Sequence, residues 1–260
     1  MEKKNGNPLE GLIIALSMYS KIPMPRMEWT ESGMKYAIGF FPLIGVIIGG
    51  LMVGLKQLSQ FLQLNLVVVT CLGTALPLLV TGGIHMDGFL DTTDARSSYE
   101  GKERKLEILK DPHAGAFAIL WCGIYLLLYA AAVSQLGAKA YPAVAGIYVI
   151  TRVFSGWSVI TFPKAKEDGL AYTFASAAQK KTVEGMLRVW AVGSVIFWYY
   201  TAGFLTTLCL TVAAGLVFIW YRRMCLREFG GMTGDLAGYF LQTAELVLMA
   251  VLAGMTGVNL

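Results

Sequence analysis

The sequence predicts an all-α protein, a polytopic integral membrane bundle of about seven helices forming a single domain over residues 1–260. Three observations predict it. Of the 260 residues, 56% are hydrophobic and 15% are charged, where a soluble domain carries about 25% charged residues. Apolar runs recur at the ~20-residue length that crosses a hydrocarbon core. Lysine and arginine gather in alternate connections between those runs, as they do in membrane proteins.

The elements follow in order. The first apolar patch, residues 11–19, is too short to span and predicts an interfacial or re-entrant helix, stopped by Pro23 and Pro25. It has no small-x-small cleavage site and is flanked by Glu2 and Glu10, which argues against a cleaved leader. Spans are expected at about 34–55, 64–84, 114–136, 141–162, 187–202, 204–221 and 236–255. The fifth and sixth share one apolar run from Trp190 to Tyr221, which reads as a tight hairpin or one long helix. Between the third span and its predecessor, EGKERKLEILKDPHAGAF predicts a short charged helix, with Asp111-Pro112 opening the third span. Cys71, Cys122, Cys209 and Cys225 lie far apart, mostly in apolar runs, and read as reduced core fillers.

Seven spans with the N-terminus in the cytoplasm put nearly every lysine and arginine inside. The inner groups are Lys3, Lys4, Lys21, Arg26 and Lys35; Arg96, Lys102, Arg104, Lys105 and Lys110; Lys164, Lys166, Lys180, Lys181 and Arg188; and Arg222, Arg223 and Arg227. Only Lys56 and Lys139 face out, and Arg152 falls inside a span. The acidic residues share the inner regions, so chemistry is expected at the cytoplasmic face. A net charge of +4 is too small to argue for a nucleic-acid partner.

The stretch GGIHMDGFLDTTDARSS carries the strongest chemical signal. On a helix, Asp87, Asp91 and Asp94 are spaced i, i+4, i+7 and fall within about 60° of arc. Like charges at that spacing repel. A hard divalent cation would relieve the repulsion, and Mg²⁺ is commonly held by carboxylates together with substrate phosphates. The plainer alternative is a solvated acidic turn beyond a span. His85 suits phosphate contact, proton transfer or a polar span end. Gly82, Gly83 and Gly88 allow close backbone approach or simply make turns. Asp111 is either a helix cap or a fourth carboxylate for the metal; Lys110 and His113 beside it are phosphate contacts or membrane-edge anchors.

Two further constellations lie on the same side. In FGGMTGDLAGYFLQTAE, the glycines Gly230, Gly231 and Gly234 with Thr233 and Asp235 precede the last span, where a helix start favours anions. Asp235 there is a cap or a metal ligand. Glu245 lies deep in that span, a costly place for a carboxylate, and Arg152 is its natural partner or a phosphate contact. In FPKAKEDGLAYTF, Lys164 and Lys166 offer cations to phosphate or to anionic lipid. Acidic cluster, basic loops and anion-accepting helix start together suggest Mg²⁺-dependent phosphoryl transfer. A transporter or cation channel is the competing class. It would place its site at the bilayer midplane, whereas these motifs sit at the edge.

Together, GGIHMDGFLDTTDA and LEILKDPHAGAFA resemble the cobalamin synthase family. The resemblance extends to SKIPMP, AIGFFPLIGVIIGG, Thr151-Arg152, KAKEDGLAYTF and GGMTGD, nearly the whole chain. It implies an inner-membrane, Mg²⁺-requiring enzyme of late vitamin B12 assembly. That enzyme joins adenosylcobinamide-GDP to α-ribazole or its 5′-phosphate and releases GMP. By matching, Asp87, Asp91 and Asp94, with Asp111, hold Mg²⁺ against the pyrophosphate, and lysines or arginines meet the leaving GMP. Two positions depart from the family pattern: Gln242 stands where Glu is expected, and Arg96 replaces a small or apolar residue near the cluster. Homo-oligomerisation is compatible with the sequence.

Overall fold

A computed structural model describes residues 7–25 and 27–257; Lys3, Lys4 and Arg26 of the charge count lie outside the described residues. The elements are α1 (Pro8–Tyr19), α2 (Glu31–Phe61), α3 (Leu66–Thr81), α4 (Ile84–Ser97), α5 (Lys102–Ile108), α6 (Ala116–Ser134), α7 (Tyr141–Thr161), α8 (Gly169–Ala177), α9 (Lys180–Met224) and α10 (Gly234–Gly257). A 3₁₀ turn, Ala138–Ala140, leads into α7, and a π-helical turn, Cys225–Phe229, follows α9. There is no strand among the described residues, only one parallel bridge between Lys164 and Met232. Among the described residues, five helices are long and apolar enough to cross a membrane: α2, α6, α7 with its leading turn, α9 and α10. This is an integral membrane bundle, as the composition requires.

At the centre stands α7, with 83% of its most apolar window buried. Small residues let α2 lie against it: a Cβ on Gly45 would strike the Tyr148 backbone, and one on Gly49 would strike Ala145. That spacing of small residues is how membrane helices approach when lipid gives them no hydrophobic reason to associate. The short helix α1, too short to cross, packs on the start of α2 through Gly11 and Gly33.

One element differs from the sequence expectation, and another resolves an alternative the sequence left open. The span expected at 64–84 ends at Thr81, because Gly82 and Gly83 both take positive φ, 65° and 79°, and the chain bends by 94° into α4. These glycines therefore make a turn. With Asp87, Asp91, Asp94 and Arg96 among its fourteen residues, α4 runs at that angle to α3 and packs on α10 and α6.

The other is α9, whose backbone leaves helical geometry at Gly203, φ 78° and ψ 171°. Leu187 packs at Gly156 of α7 and Trp198 donates from Nε1 to the Ala143 carbonyl at 2.9 Å. Yet Tyr221, far beyond Gly203, returns to Ser158. A straight helix rises about 1.5 Å per residue and could not bring Leu187 and Tyr221 to the same end of α7. So α9 is a hairpin with limbs 180–202 and 204–224, the hairpin alternative of the sequence. All four cysteines are free thiols.

Candidate active site

The acidic face of α4 is assembled by close helix packing. A Cβ on Gly88 would lie 2.7 Å from the Asp235 carbonyl oxygen, and one on Gly238 would lie 3.0 Å from the His85 carbonyl oxygen. Glycine on both sides therefore lets α4 cross the first turns of α10 backbone to backbone. That crossing sets Asp235 among the aspartates of α4. Burial, then the charges of Asp87, Asp235 and Asp94, push the Asp91 carboxyl up to about 7. The repulsion expected from the spacing is thus present, and Asp235 adds to it.

Beside this crossing lies a cavity of about 570 Å³, walled by α1, α2, α4, α7, α8, α10 and the 163–168 loop. Asp87, Asp235, Thr233 and Gly234 line one part, and Lys110, Lys164, Lys166 and Asp168 line its cationic side. The other end is aromatic and apolar, formed by Tyr19, Phe41, Ile38 and His85. The size suits a small-molecule ligand.

The glycine loop is shaped by the protein itself. Gly230 takes φ +76° to end the π-turn, and a Cβ on Gly231 would lie 2.5 Å from the Lys164 carbonyl carbon. Met232 donates to the Pro163 carbonyl at 2.8 Å and Ala165 donates to the Met232 carbonyl at 3.1 Å. Gly231 donates to the Cys225 carbonyl at 3.1 Å. The N–H groups of Gly231 and Met232 are thus spent inside the protein, and Gly231 is needed for packing. Thr233 caps α10, its hydroxyl accepting from Leu236 N–H at 3.3 Å, so Asp235 in the first turn is not the cap. Lys164 donates to the carbonyls of Val159 and, at 2.8 Å, Phe162; burial and Lys180 push its amine down to about 8. Lys166 donates to the Leu106 carbonyl at 2.8 Å, which ties α5 to this loop, and burial lowers its pKa.

Other candidates lie elsewhere. The two oxygens of Asp94 accept from the N–H groups of Gly115, at 2.5 Å, and Ala118, at 2.8 Å. Asp94 therefore caps α6, which starts at Ala116; Asp111-Pro112 does not open that helix, as the sequence suggested, because Asp94 reaches its N–H groups from α4. Asp111 and His113 are exposed and bond each other at 2.9 Å, and His113 lowers the Asp111 pKa. Neither lines the cavity. Arg152 and Glu245 form a pair at 2.8 Å, each 1% exposed, outside the cavity lining, with the Arg152 guanidinium 5.8 Å from the Phe41 ring. Gln242 accepts from the Tyr125 hydroxyl in the core. Arg96 points away from the cluster: it chelates Glu228 at 3.0 and 3.1 Å and donates to the Tyr239 hydroxyl at 2.7 Å. It leaves the cluster's charge to the aspartates. Sequence reasoning missed Tyr19 and Phe41; each reads as an ordinary core aromatic, and no local signal marks them.

Among the described residues, no three carboxylate, imidazole or thiol groups stand as a ready-made metal cage. The donor chemistry nevertheless fits a hard cation: Asp87, Asp91 and Asp235 are all oxygen donors, and burial, with the charges of Asp87, Asp235 and Asp94 added, raises the Asp91 carboxyl to about 7. Mg²⁺ ordinarily takes one or two carboxylates and completes its shell with water and phosphate.

Residues 11–253 match the family model described as cobalamin-5-phosphate synthase. The chain belongs to the cobalamin-5-phosphate synthase family. It is similar to a protein of Lachnoclostridium phytofermentans named adenosylcobinamide-GDP ribazoletransferase, 48% identical over 92% of this chain and 91% of the relative. Proteins of the same name from Clostridium botulinum and Halalkalibacterium halodurans are 32% and 31% identical, over 93% and 94% of this chain and 96% and 95% of theirs. No solved structure matches. This cobalamin synthase family member is an enzyme, a transferase of cobalamin biosynthesis, and the transporter reading falls with that assignment.

Proposed function

We propose that the protein joins adenosylcobinamide-GDP to α-ribazole or its 5′-phosphate at the cytoplasmic face of the inner membrane, releasing GMP. The observation that carries this reading is the meeting of Asp87, Asp91 and Asp235 beside a cavity with lysines on one side. The ribose 3′-hydroxyl of α-ribazole attacks the phosphorus nearer cobinamide. The new P–O bond replaces the anhydride bond, and GMP leaves with the bonding electrons. An aspartate of the cluster accepts the hydroxyl proton. Asp87, Asp91 and Asp235 would hold Mg²⁺, which supplies neutralisation of the charge that builds on the phosphate oxygens. Lys110 and Lys166 face the cavity and counter the charge of the departing GMP. Lys164 fixes the 163–168 loop, which carries Lys166. The orientation rests on charge: the basic residues of α5, the 163–168 loop and the end of α9 all gather at the α4 end of the bundle.

The test is direct. Purified protein in detergent, given both substrates and Mg²⁺, releases GMP and forms the joined cobamide. Folded protein that releases no GMP with either form of α-ribazole overturns the assignment.

A further inference from the structure

One polar atom at the cavity's aromatic end has no partner. His85 is 5% exposed and lines the cavity, yet its Nε2 makes no hydrogen bond. Aromatic rings frame it: Tyr19 stacks with the imidazole at 6.1 Å between centroids, and Phe41 tilts against it at 5.5 Å. Ile38, 1% exposed, adds an aliphatic surface. A buried polar atom without a partner costs free energy, so this one marks a place where a ligand supplies the missing bond. The surroundings define that ligand. It is flat, mostly apolar, and presents a hydrogen-bonding atom to Nε2.

Resting on the function proposed above, we infer that this end seats the benzimidazole base of α-ribazole, with His85 donating from Nε2 to the ring nitrogen that carries no ribose. The base offers one acceptor and an otherwise apolar plane, which suits His85 Nε2 and its ring-lined surroundings. The guanine of the other substrate fits poorly. Its edge carries several donors and acceptors, and against the rings of Tyr19 and Phe41 and the Ile38 side chain most of them would face carbon, unpaired. A corrin ring is too large for a cavity of about 570 Å³ and stays at its mouth. Seated this way, the ribose of α-ribazole extends toward Asp87 and Asp235, where the hydroxyl must react.

The experiment compares α-ribazole with the α-riboside of 5,6-dimethylindole, in which a C–H replaces the acceptor nitrogen. Binding of each is measured by the fluorescence of the heterocycle, with the full-length protein in detergent and no second substrate. Wild type should prefer α-ribazole by about tenfold or more, and His85→Ala should bind the two alike while its affinity for cobinamide-GDP stays unchanged. The wild-type comparison needs no variant and so does not depend on how His85→Ala folds. Equal binding of the two ribosides by wild type overturns the inference, as does a His85→Ala protein that still discriminates. Loss of cobinamide-GDP affinity in that variant would put guanine in the seat and also overturn it. GMP release by wild type is run in parallel: transfer without discrimination sinks this seat alone, and no transfer sinks the proposed function with it.

Discussion

Gly88 lies against the backbone of Asp235, so close that a single added carbon would meet the carbonyl oxygen at 2.7 Å and the Cα at 2.9 Å. The contact joins the acidic helix to the last span and brings the fourth aspartate to the other three. Gly88→Ala must push α4 off α10. Misplacing catalytic groups by about 1 Å costs on the order of 100-fold, so GMP release should fall by about that much. Gly238→Ala, whose Cβ would meet His85 O at 3.0 Å, should be milder. Equal, near-normal turnover in both would show that the crossing does not set the site.

Thr233, not Asp235, caps α10. Asp235→Asn should therefore leave the melting temperature nearly unchanged while activity falls by orders of magnitude. Thr233→Ala should do the reverse in part, losing about 1 kcal/mol of stability. A fully active Asp235→Asn enzyme would remove this residue from the chemistry.

Asp94 separates structure from metal binding in the opposite direction. Because its oxygens accept two N–H groups of α6, Asp94→Ala should destabilise the fold by roughly 1–2 kcal/mol. Asp94→Asn keeps one acceptor and should recover part of that. Thermal unfolding in detergent measures both, and an unshifted Asp94→Ala melt would return Asp94 to the candidate metal ligands.

Asp91 provides a pH test. Its folded-state carboxyl titrates at about 7, above the ordinary aspartate value. A raised carboxyl stabilises the metal-free fold when protonated; that contribution is complete below the unfolded pKa and is lost as pH rises through about 7. Above that pH the site is a bare anion cluster, and a cation must displace no proton to enter. Stabilisation of the melt by Mg²⁺ should thus be larger at pH 8 than at pH 6. Asp91→Asn should flatten the dependence; an Mg²⁺ effect independent of pH in wild type would count against the cluster as its seat.

The Arg152–Glu245 pair should behave as structure. Glu245→Gln strands a buried guanidinium and should cost about 3–5 kcal/mol, seen as loss of folded protein on size-exclusion chromatography. Arg152→Gln combined with Glu245→Gln should restore much of it. A folded single variant with a raised KM for either substrate would instead make Glu245 a binding residue.

Much of this was legible in the sequence because period and composition act locally. The i, i+4, i+7 aspartates announced their shared face, and the apolar runs announced the spans. What escaped depends on contacts between distant segments. Nothing near Asp94 says that its oxygens will reach Gly115, and nothing near Arg96 says that Glu228 will draw it away. Tyr19 and Phe41 become a binding surface only when α1 folds onto α2. Gly231 looked like a phosphate contact, and only the neighbouring Lys164 backbone shows why the side chain must be absent.

The reversal at Gly203 also bears on how the chain is made. A one-residue turn flanked by exposed Tyr200 and Phe204 leaves no polar loop to halt or anchor a nascent segment. The two limbs must therefore enter the bilayer as a pair during synthesis. If they entered as one, every later segment would emerge on the opposite side, and Asp235 would be parted from Asp87 by the thickness of the membrane. A β-branched residue at position 203, where φ is +78°, would strain that turn. Its damage would be an error of biogenesis, made before any substrate is met.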